Sequence, residues 1–284
     1  MGEESPDKIV ESGTEAGEVQ QVETVSKRSR KRQLKKEKWL ELRPIKRAKE
    51  RERLRLRRKE AKINNVDLGL SRKAMKNFKM SSSDCKIRVC LDFSFDHLMG
   101  NKELNKCVNQ MGRCYSANRR TKNPLQFFVT NFKGISKNIA EKHDGYSNWD
   151  VNFDEKHYSE LFRKEELVYL SSESENVITE LKEDEVYIIG ALVDHNSQKG
   201  LCLRIAEENG LKHGRLPIDE FVQLKTRKVL TIDQVFSILA NVACCGMSWK
   251  EAFLRIIPHR KGAKDKDDAE SLGNEEEQDE PEDP

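Results

Sequence analysis

The run Val186 to Val193, VYIIGALV, is apolar except for Gly190 and stops abruptly at Asp194, His195 and Asn196. An apolar run this short, rich in β-branched residues and closed by polar ones, predicts a buried strand that breaks into a turn. The residues beyond that turn fix the class. Leu201 to Glu208 reads as a helix with Leu201, Cys202 and Ile205 on one face and Gly210 as its stop. Leu216-Pro217-Ile218 is a short apolar piece, and Lys228 to Leu230 is a further strand candidate. Thr231 is placed to cap a helix whose inner face is Ile232, Val235, Phe236, Leu239 and Val242. Strands alternating with helices predict an α/β domain, and such domains bind ligands at the carboxyl ends of their strands. Asp194 and the loop after Leu230 are therefore expected at a site.

The flanks differ sharply from this centre. Residues 1–26 hold seven acids against one lysine, residues 27–60 hold eighteen Lys or Arg against five Glu, and residues 264–284 hold eleven acids against two lysines. The net charge of +3 hides these blocks. The acidic ends, 1–26 and 263–284, are expected to be disordered tails, with one globular domain of ordinary size between them. The basic block consists mostly of helix formers, with Pro44 expected to break or kink it. Its charge fits a solvated helix, a nuclear-import signal or an arm for a polyanion such as RNA, with Lys31, Arg32, Lys35 and Lys36 as candidate phosphate contacts. Trp39 is the one aromatic there, free to stack on a base or to pack on the domain. A polar stretch, 61–85, links arm to domain.

No apolar run approaches the length of a membrane span, and the acidic N-terminus resembles neither a secretory signal nor an organelle transit peptide. The seven cysteines form no C-x-x-C pair. Most of Cys85, Cys90, Cys107, Cys114 and Cys202 fall in apolar patterns, as buried free thiols of a reducing compartment do, so a nuclear or cytoplasmic protein is expected.

Within the domain, Ile87 to Leu91 reads as a strand followed by Asp92, a site candidate or a helix cap. Lys102 to Arg119 reads as a helix with a core stripe of Leu104, Cys107, Val108, Met111, Cys114 and Tyr115. Leu125 to Thr130 and Leu167 to Leu170 are strands. Arg119, Arg120 and Lys122 form an exposed basic corner, a second candidate phosphate contact. Ser171 to Ser174 suits a ligand-binding turn or an ordinary N-cap, with a short helix expected over Glu175 to Leu181. Trp249, Ala252, Phe253 and Ile256 predict a last helix. The glycine fingerprints of nucleotide sites, the Gly-x-Ser-x-Gly elbow and zinc-type His or Cys spacing are all absent, which argues against nucleotide hydrolysis, serine hydrolysis and a metal site.

Several motifs in order carry a resemblance. LDFSFDHLM (91–99), QMGRCYSANRR (110–120), HYSELFRKEELVYLSSESEN (157–176), VYIIGALVDHN (186–196), GRLPIDEF (214–221), TRKVLTIDQVF (226–236) and the Trp249 to Gly262 pattern closely resemble the eukaryotic tRNA methyltransferases that modify N1 of guanine at position nine, of the SPOUT class. The details are most similar to the cytosolic and nuclear members. The resemblance implies an α/β sheet with a C-terminal trefoil knot over 86–262, a monomer, tRNA as partner, and S-adenosylmethionine held bent by loops. By position, those loops bring Leu170, Ser171, Gly190, Ala191, His195, Asn196, Lys199, Leu216, Ile218, Leu230, Thr231 and Val235 to the cofactor. The family commonly has a second glycine where this chain has Ala191, so its methyl is expected to crowd that pocket. Asp194 matches the family's proposed general base, because guanine N1 must lose its proton as it gains a methyl. The same carboxylate in a merely positioning role, a non-catalytic RNA-binding protein of this fold, and an enzyme that also accepts adenine are the alternatives.

Overall fold

The computed structural model describes residues 26–66, 75, 77–143, 145–193, 197–224, 229–258 and 264–265. The tails expected at 1–26 and 263–284 lie almost wholly outside them. The chain divides into two units, Met1–Gly69 and Leu70–Pro284.

The first unit contains one long helix, α1 (Lys27–Ile63), opened by Ser26, whose Oγ accepts the Ser29 N–H at 3.2 Å. The break expected at Pro44 is absent: the helix runs through it. Pro44 forfeits its bond to the Leu40 carbonyl, but Leu40 is exposed, so water can take the vacant acceptor. Strong helix formers on both sides supply the remaining stability. Leu34, Trp39, Leu42, Ile45 and Leu56 are exposed too, and Ala61 near the C-terminal end is the buried residue of this helix. Trp39 carries its own partner, with the Arg43 guanidinium 4.8 Å over its ring centroid.

The second unit is built on a six-stranded parallel sheet of β1 (Arg88–Asp92), β2 (Gln126–Thr130), β3 (Asn152–Phe153), β4 (Leu167–Leu170), β5 (Val186–Gly190) and β6 (Lys212–Gly214). Their order across the sheet is β3-β2-β1-β5-β4-β6. The chain works outward from β1 to β3, then crosses to the other side, so β1 and β5 are neighbours across a reversal of direction. Asp92, the last residue of β1, is in register with Thr130 of β2 and Gly190 of β5. Such a reversal opens a crevice at the carboxyl ends of the strands.

Alternation along these strands sorts the core into two layers. Val89, Leu91, Phe127, Val129, Tyr187 and Ile189 face one side; Cys90, Leu167, Tyr169, Val186 and Ile188 face the other. The first side is covered by α2 (Asn101–Asn118) and α7 (Ile232–Cys245), which pack on each other. The expected stripe of α2 is buried at Leu104, Cys107, Val108, Met111 and Cys114, with Tyr115 half-buried at its end. Phe127 meets Phe236 of α7 at 4.6 Å between ring centroids. The second side takes α5 (Leu201–Glu208), with Ala206 fully buried, and Tyr158, which starts the single turn α4 (Tyr158–Leu161). Further helices are α3 (Gly134–Glu141), the turn α6 (Ile218–Phe221) and α8 (Trp249–Ile256). A small antiparallel pair joins β7 (Val222–Gln223) to β8 (Lys264–Asp265).

Three expectations fail here. Glu175 to Leu181 forms no helix. Val177 instead bridges Arg215, and the Ile178 N–H donates to the Arg215 carbonyl at 2.9 Å. Two β-branched residues in an extended segment extend the parallel pairing beyond β6, and Ser174 and Asn176 satisfy nearby backbone groups instead of capping. The strand after α5 is Lys212–Gly214, which carries no apolar alternation; it pairs as an edge beside β4. Leu216-Pro217-Ile218 leads into α6, and Val229 and Leu230 lie in no strand, Lys228 being outside the described residues.

Candidate functional site

A cleft enclosing about 1020 Å³, part of it open to solvent, lies where the strands end. Each wall has a backbone cause. Leu170 ends β4 and Ile189 and Gly190 end β5, so their parallel register delivers three residues to one edge. Gly200 to Cys202 enter at the start of α5, Gly214 to Leu216 at the exit from β6, and Ile232 and Val235 in the first turn of α7. The interior is mainly aliphatic, and Ser171, Ser172, Glu173, Gln198, Lys199, Arg215 and Asp219 supply its polar part.

Of the cofactor residues expected from the sequence, Leu170, Ser171, Gly190, Lys199, Leu216, Ile218, Leu230 and Val235 line this one cleft. Ala191 does not: it is fully buried in the core, its carbonyl accepts the Cys107 thiol at 3.2 Å, and its methyl is not on the cleft wall. The crowding expected there therefore has no counterpart. Thr231 is exposed and off the wall, and its N–H donates to Gln234 Oε1 at 3.0 Å in the capping box of α7. Asp194, His195 and Asn196 lie outside the described residues.

The helix that closes the cleft is fixed from behind. Buried Gln110 of α2 accepts the Ile232 N–H at 2.9 Å, and Arg113 reaches Asp233 at 2.6 Å. Ser171 and Ser172 both donate to Glu173 Oε2, at 2.8 and 3.0 Å, which makes 171–173 a closed turn with its carboxylate at the cleft. Arg215 donates to the Ser174 and Glu175 carbonyls at 2.7 and 2.8 Å and ties this turn to β6.

Asp92 sits beneath the cleft rather than on it. It is 1% exposed and accepts from the Ser94 N–H at 3.0 Å, from the Ser94 hydroxyl and from the Tyr169 hydroxyl at 2.9 Å. Burial raises its carboxyl above the usual range despite those donors. Tyr169 is raised in turn by burial and by the neighbouring Asp92. Cys202, on the cleft wall, is pushed up to about 12, chiefly by burial. This thiol is consequently protonated and a poor nucleophile at neutral pH.

The candidate phosphate contacts divide between the units. Lys31, Arg32, Lys35 and Lys36 are exposed on α1, with Lys31/Lys35 and Arg32/Lys36 each one turn apart. In the second unit, Arg120 and Lys122 are exposed in the turn after α2. Arg119 is half-buried, 5.3 Å over the Tyr115 ring, which itself stacks on Trp149 at 4.7 Å. Among the described residues no group of His, Cys, Asp and Glu is placed to hold a metal ion, and no helix is long and apolar enough to cross a membrane.

Sequence reasoning missed Ile189, Leu201, Cys202, Arg215 and Asp219 on the wall. Leu201 and Cys202 read as one face of a helix, and a core stripe and a cleft wall have the same periodicity. Arg215 and Asp219 belong to GRLPIDEF, where a charged pair around an apolar trio was the available signal.

A family model for the tRNA (guanine(9)-N(1))-methyltransferase TRM10/TRM10A matches residues 23–262. The rat protein tRNA methyltransferase 10 homolog A is 44% identical over 190 residues, which are 66% of this chain and 56% of that protein. The chain thus spans little more than half the length of that relative. A tRNA (guanine(9)-N1)-methyltransferase of Schizosaccharomyces pombe is 40% identical over 261 residues, 89% of this chain and 84% of its own length. The solved structure of full-length spTrm10 in complex with SAH superimposes with a TM-score of 0.57 at 44% identity, covering 62% of this chain and 97% of that one. With a mostly parallel sheet of SPOUT type and a family model matched over most of its length, the chain belongs to the tRNA (guanine(9)-N(1))-methyltransferase family TRM10/TRM10A.

Proposed function

We propose that this chain transfers a methyl group from S-adenosylmethionine to N1 of guanine at position nine of tRNA. The observation that carries the reading is the gathering of eight expected cofactor residues, Leu170 through Val235, on one cleft at the strand ends. The residues there suit the donor. Aliphatic side chains from Leu170, Leu216, Ile218 and Leu230 offer a slot for a flat purine. The Glu173 and Asp219 carboxylates offer negative charge to its cationic part. When bound, the donor supplies an electrophilic methyl on a sulfonium sulfur.

The chain's own work is then to hold guanine in line and to remove a proton. Guanine N1 is protonated at neutral pH, and its electron pair is freed only as that proton leaves. Asp194, two residues past the cleft residue Leu192, is assigned to accept it. The basic arm, with Lys31, Arg32, Lys35 and Lys36, and the corner of Arg119, Arg120 and Lys122 are assigned to tRNA phosphates. The reading includes a monomer, a trefoil knot formed by the C-terminal part of the domain, and a nuclear or cytoplasmic location. The seven cysteines, free among the described residues, support that location.

The test is labelled methyl transfer to unmodified tRNA carrying G or A at position nine, with wild type and Asp194→Ala side by side. Transfer to G9 alone, slowed at least ~100-fold in the variant, is expected for a general base. Transfer unaffected by the substitution would remove Asp194 from the chemistry. Binding of tRNA without any transfer would favour a non-catalytic RNA-binding protein, and equal rates on G9 and A9 a dual-specificity enzyme.

A further inference from the structure

Two cysteines that the proposed chemistry does not use lie against each other, far apart in the chain. Cys85 sits just before β1, and Cys244 lies at the C-terminal end of α7. Their sulfurs are 3.6 Å apart. Both are free thiols, and the contact crosses from the entrance of the sheet to the end of the helix whose first turn walls the cleft. We propose that Cys85 and Cys244 form a peroxide-sensitive thiol pair that closes into an intramolecular disulfide, fastening the end of α7 to the start of β1.

The surroundings favour this pair over the other thiols. The Cys244 S–H points at Cys85, and this hydrogen bond is the main cause that lowers Cys85 from the ordinary thiol range to about 7. The Ile87 N–H and Lys86 lower it further, while burial and Glu183 oppose them. Cys244 is raised, chiefly by its contact with Cys85, so Cys85 is the thiol of the pair that ionises first. A thiolate is the form that attacks a peroxide. Cys85 is buried at 9% exposure and Cys244 half-buried, whereas Cys90, Cys107 and Cys114 are at most 1% exposed and are pushed up by burial. Cys245, next to Cys244, is exposed.

The chemistry balances with hydrogen peroxide as the oxidant. The Cys85 thiolate attacks one peroxide oxygen, the O–O bond breaks, and the other oxygen leaves as hydroxide, giving a sulfenic acid on Cys85. Cys244 then attacks that sulfur, its proton passes to the departing hydroxyl, and the S–S bond forms. Two thiols lose two electrons and two protons, and the peroxide becomes two waters. Bond formation brings the sulfurs from 3.6 Å to a bonding distance of about 2.0 Å.

Full-length reduced protein is treated with hydrogen peroxide, blocked with iodoacetamide and mapped by mass spectrometry without reduction. Expected is a cross-linked peptide pair joining Cys85 to Cys244, present in wild type and in Cys245→Ser and missing in Cys85→Ser and Cys244→Ser. Wild type should also gain a melting temperature roughly 5 °C or more higher after oxidation, reversed by a thiol reductant, because the bond closes a long loop. A link from Cys85 to Cys245, or Cys85 recovered alkylated while Cys245 is oxidised or joins two molecules, would overturn the assignment. So would an oxidised wild type that carries no such link at full peroxide consumption.

Discussion

Gly190 offers the sharpest test of how the cleft is built. A Cβ at this position would lie 2.7 Å from Cys202 Sγ, 3.3 Å from Phe95 and 3.4 Å from the Tyr169 hydroxyl. Phe95 and Tyr169 are buried and cannot retreat, so the thiol must yield by about 1 Å to restore contact distance. Cys202 lies on the cleft wall, and the space open to it is the cleft itself. Gly190→Ala should therefore destabilise by about 1–3 kcal/mol, the usual cost of overpacking. Removing the obstacle should remove most of that cost. In the double variant Gly190→Ala/Cys202→Ala, the remaining approach at Phe95 is tight but tolerable, so the two substitutions should couple favourably by ~1 kcal/mol or more. Urea unfolding of wild type, both single variants and the double variant measures this directly from the midpoints at constant slope. A Gly190→Ala variant within ~0.5 kcal/mol of wild type, or costs that simply add, would refute the reasoning.

Two other substitutions probe the supports of the cleft. Gln110→Leu leaves the buried Ile232 N–H without its acceptor and should cost about 1–3 kcal/mol in urea unfolding, whereas an unchanged midpoint would show that α7 does not depend on that bond. Asp92 has a folded-state pKa raised by burial, so its stabilising contribution is present at low pH and is lost as pH rises through the folded value. Unfolding midpoints followed upward from acid pH should therefore show wild type losing stability relative to Asp92→Asn, and a difference that is flat with pH would contradict the raised carboxyl.

How much was legible depended on what each residue type can signal. The strands β1, β2, β4 and β5 and the helices α2, α5, α7 and α8 were readable because their buried faces repeat with a strand or helix period. β6 was not, because an edge strand of Lys212, His213 and Gly214 has no apolar face to repeat. The segment 175–181 misled because local composition favoured a helix, whereas Val177 and Ile178 gain more by pairing with the Arg215 backbone. Pro44 misled in the opposite direction: an exposed helix tolerates a proline that a buried one would not. The cleft itself was only half visible. Motif positions found its aliphatic wall, but Arg215 and Asp219 reach it by tertiary placement alone. Asp92 read as a site carboxylate or a helix cap from its place at a strand end, and its bond from the Tyr169 hydroxyl shows that it braces the floor.

The most direct test of the central claim, that this cleft holds the methyl donor, is a calorimetric titration of S-adenosylhomocysteine into wild type and Val235→Trp. Val235 stands on the wall in the first turn of α7, partly exposed, so a larger ring there fills the cleft without entering the buried core. Wild type should bind at a single site, and the variant should lose at least ~10-fold in affinity, about 1.4 kcal/mol, while its melting temperature stays near that of wild type. Equal affinity in both proteins would place the donor elsewhere and contradict the account.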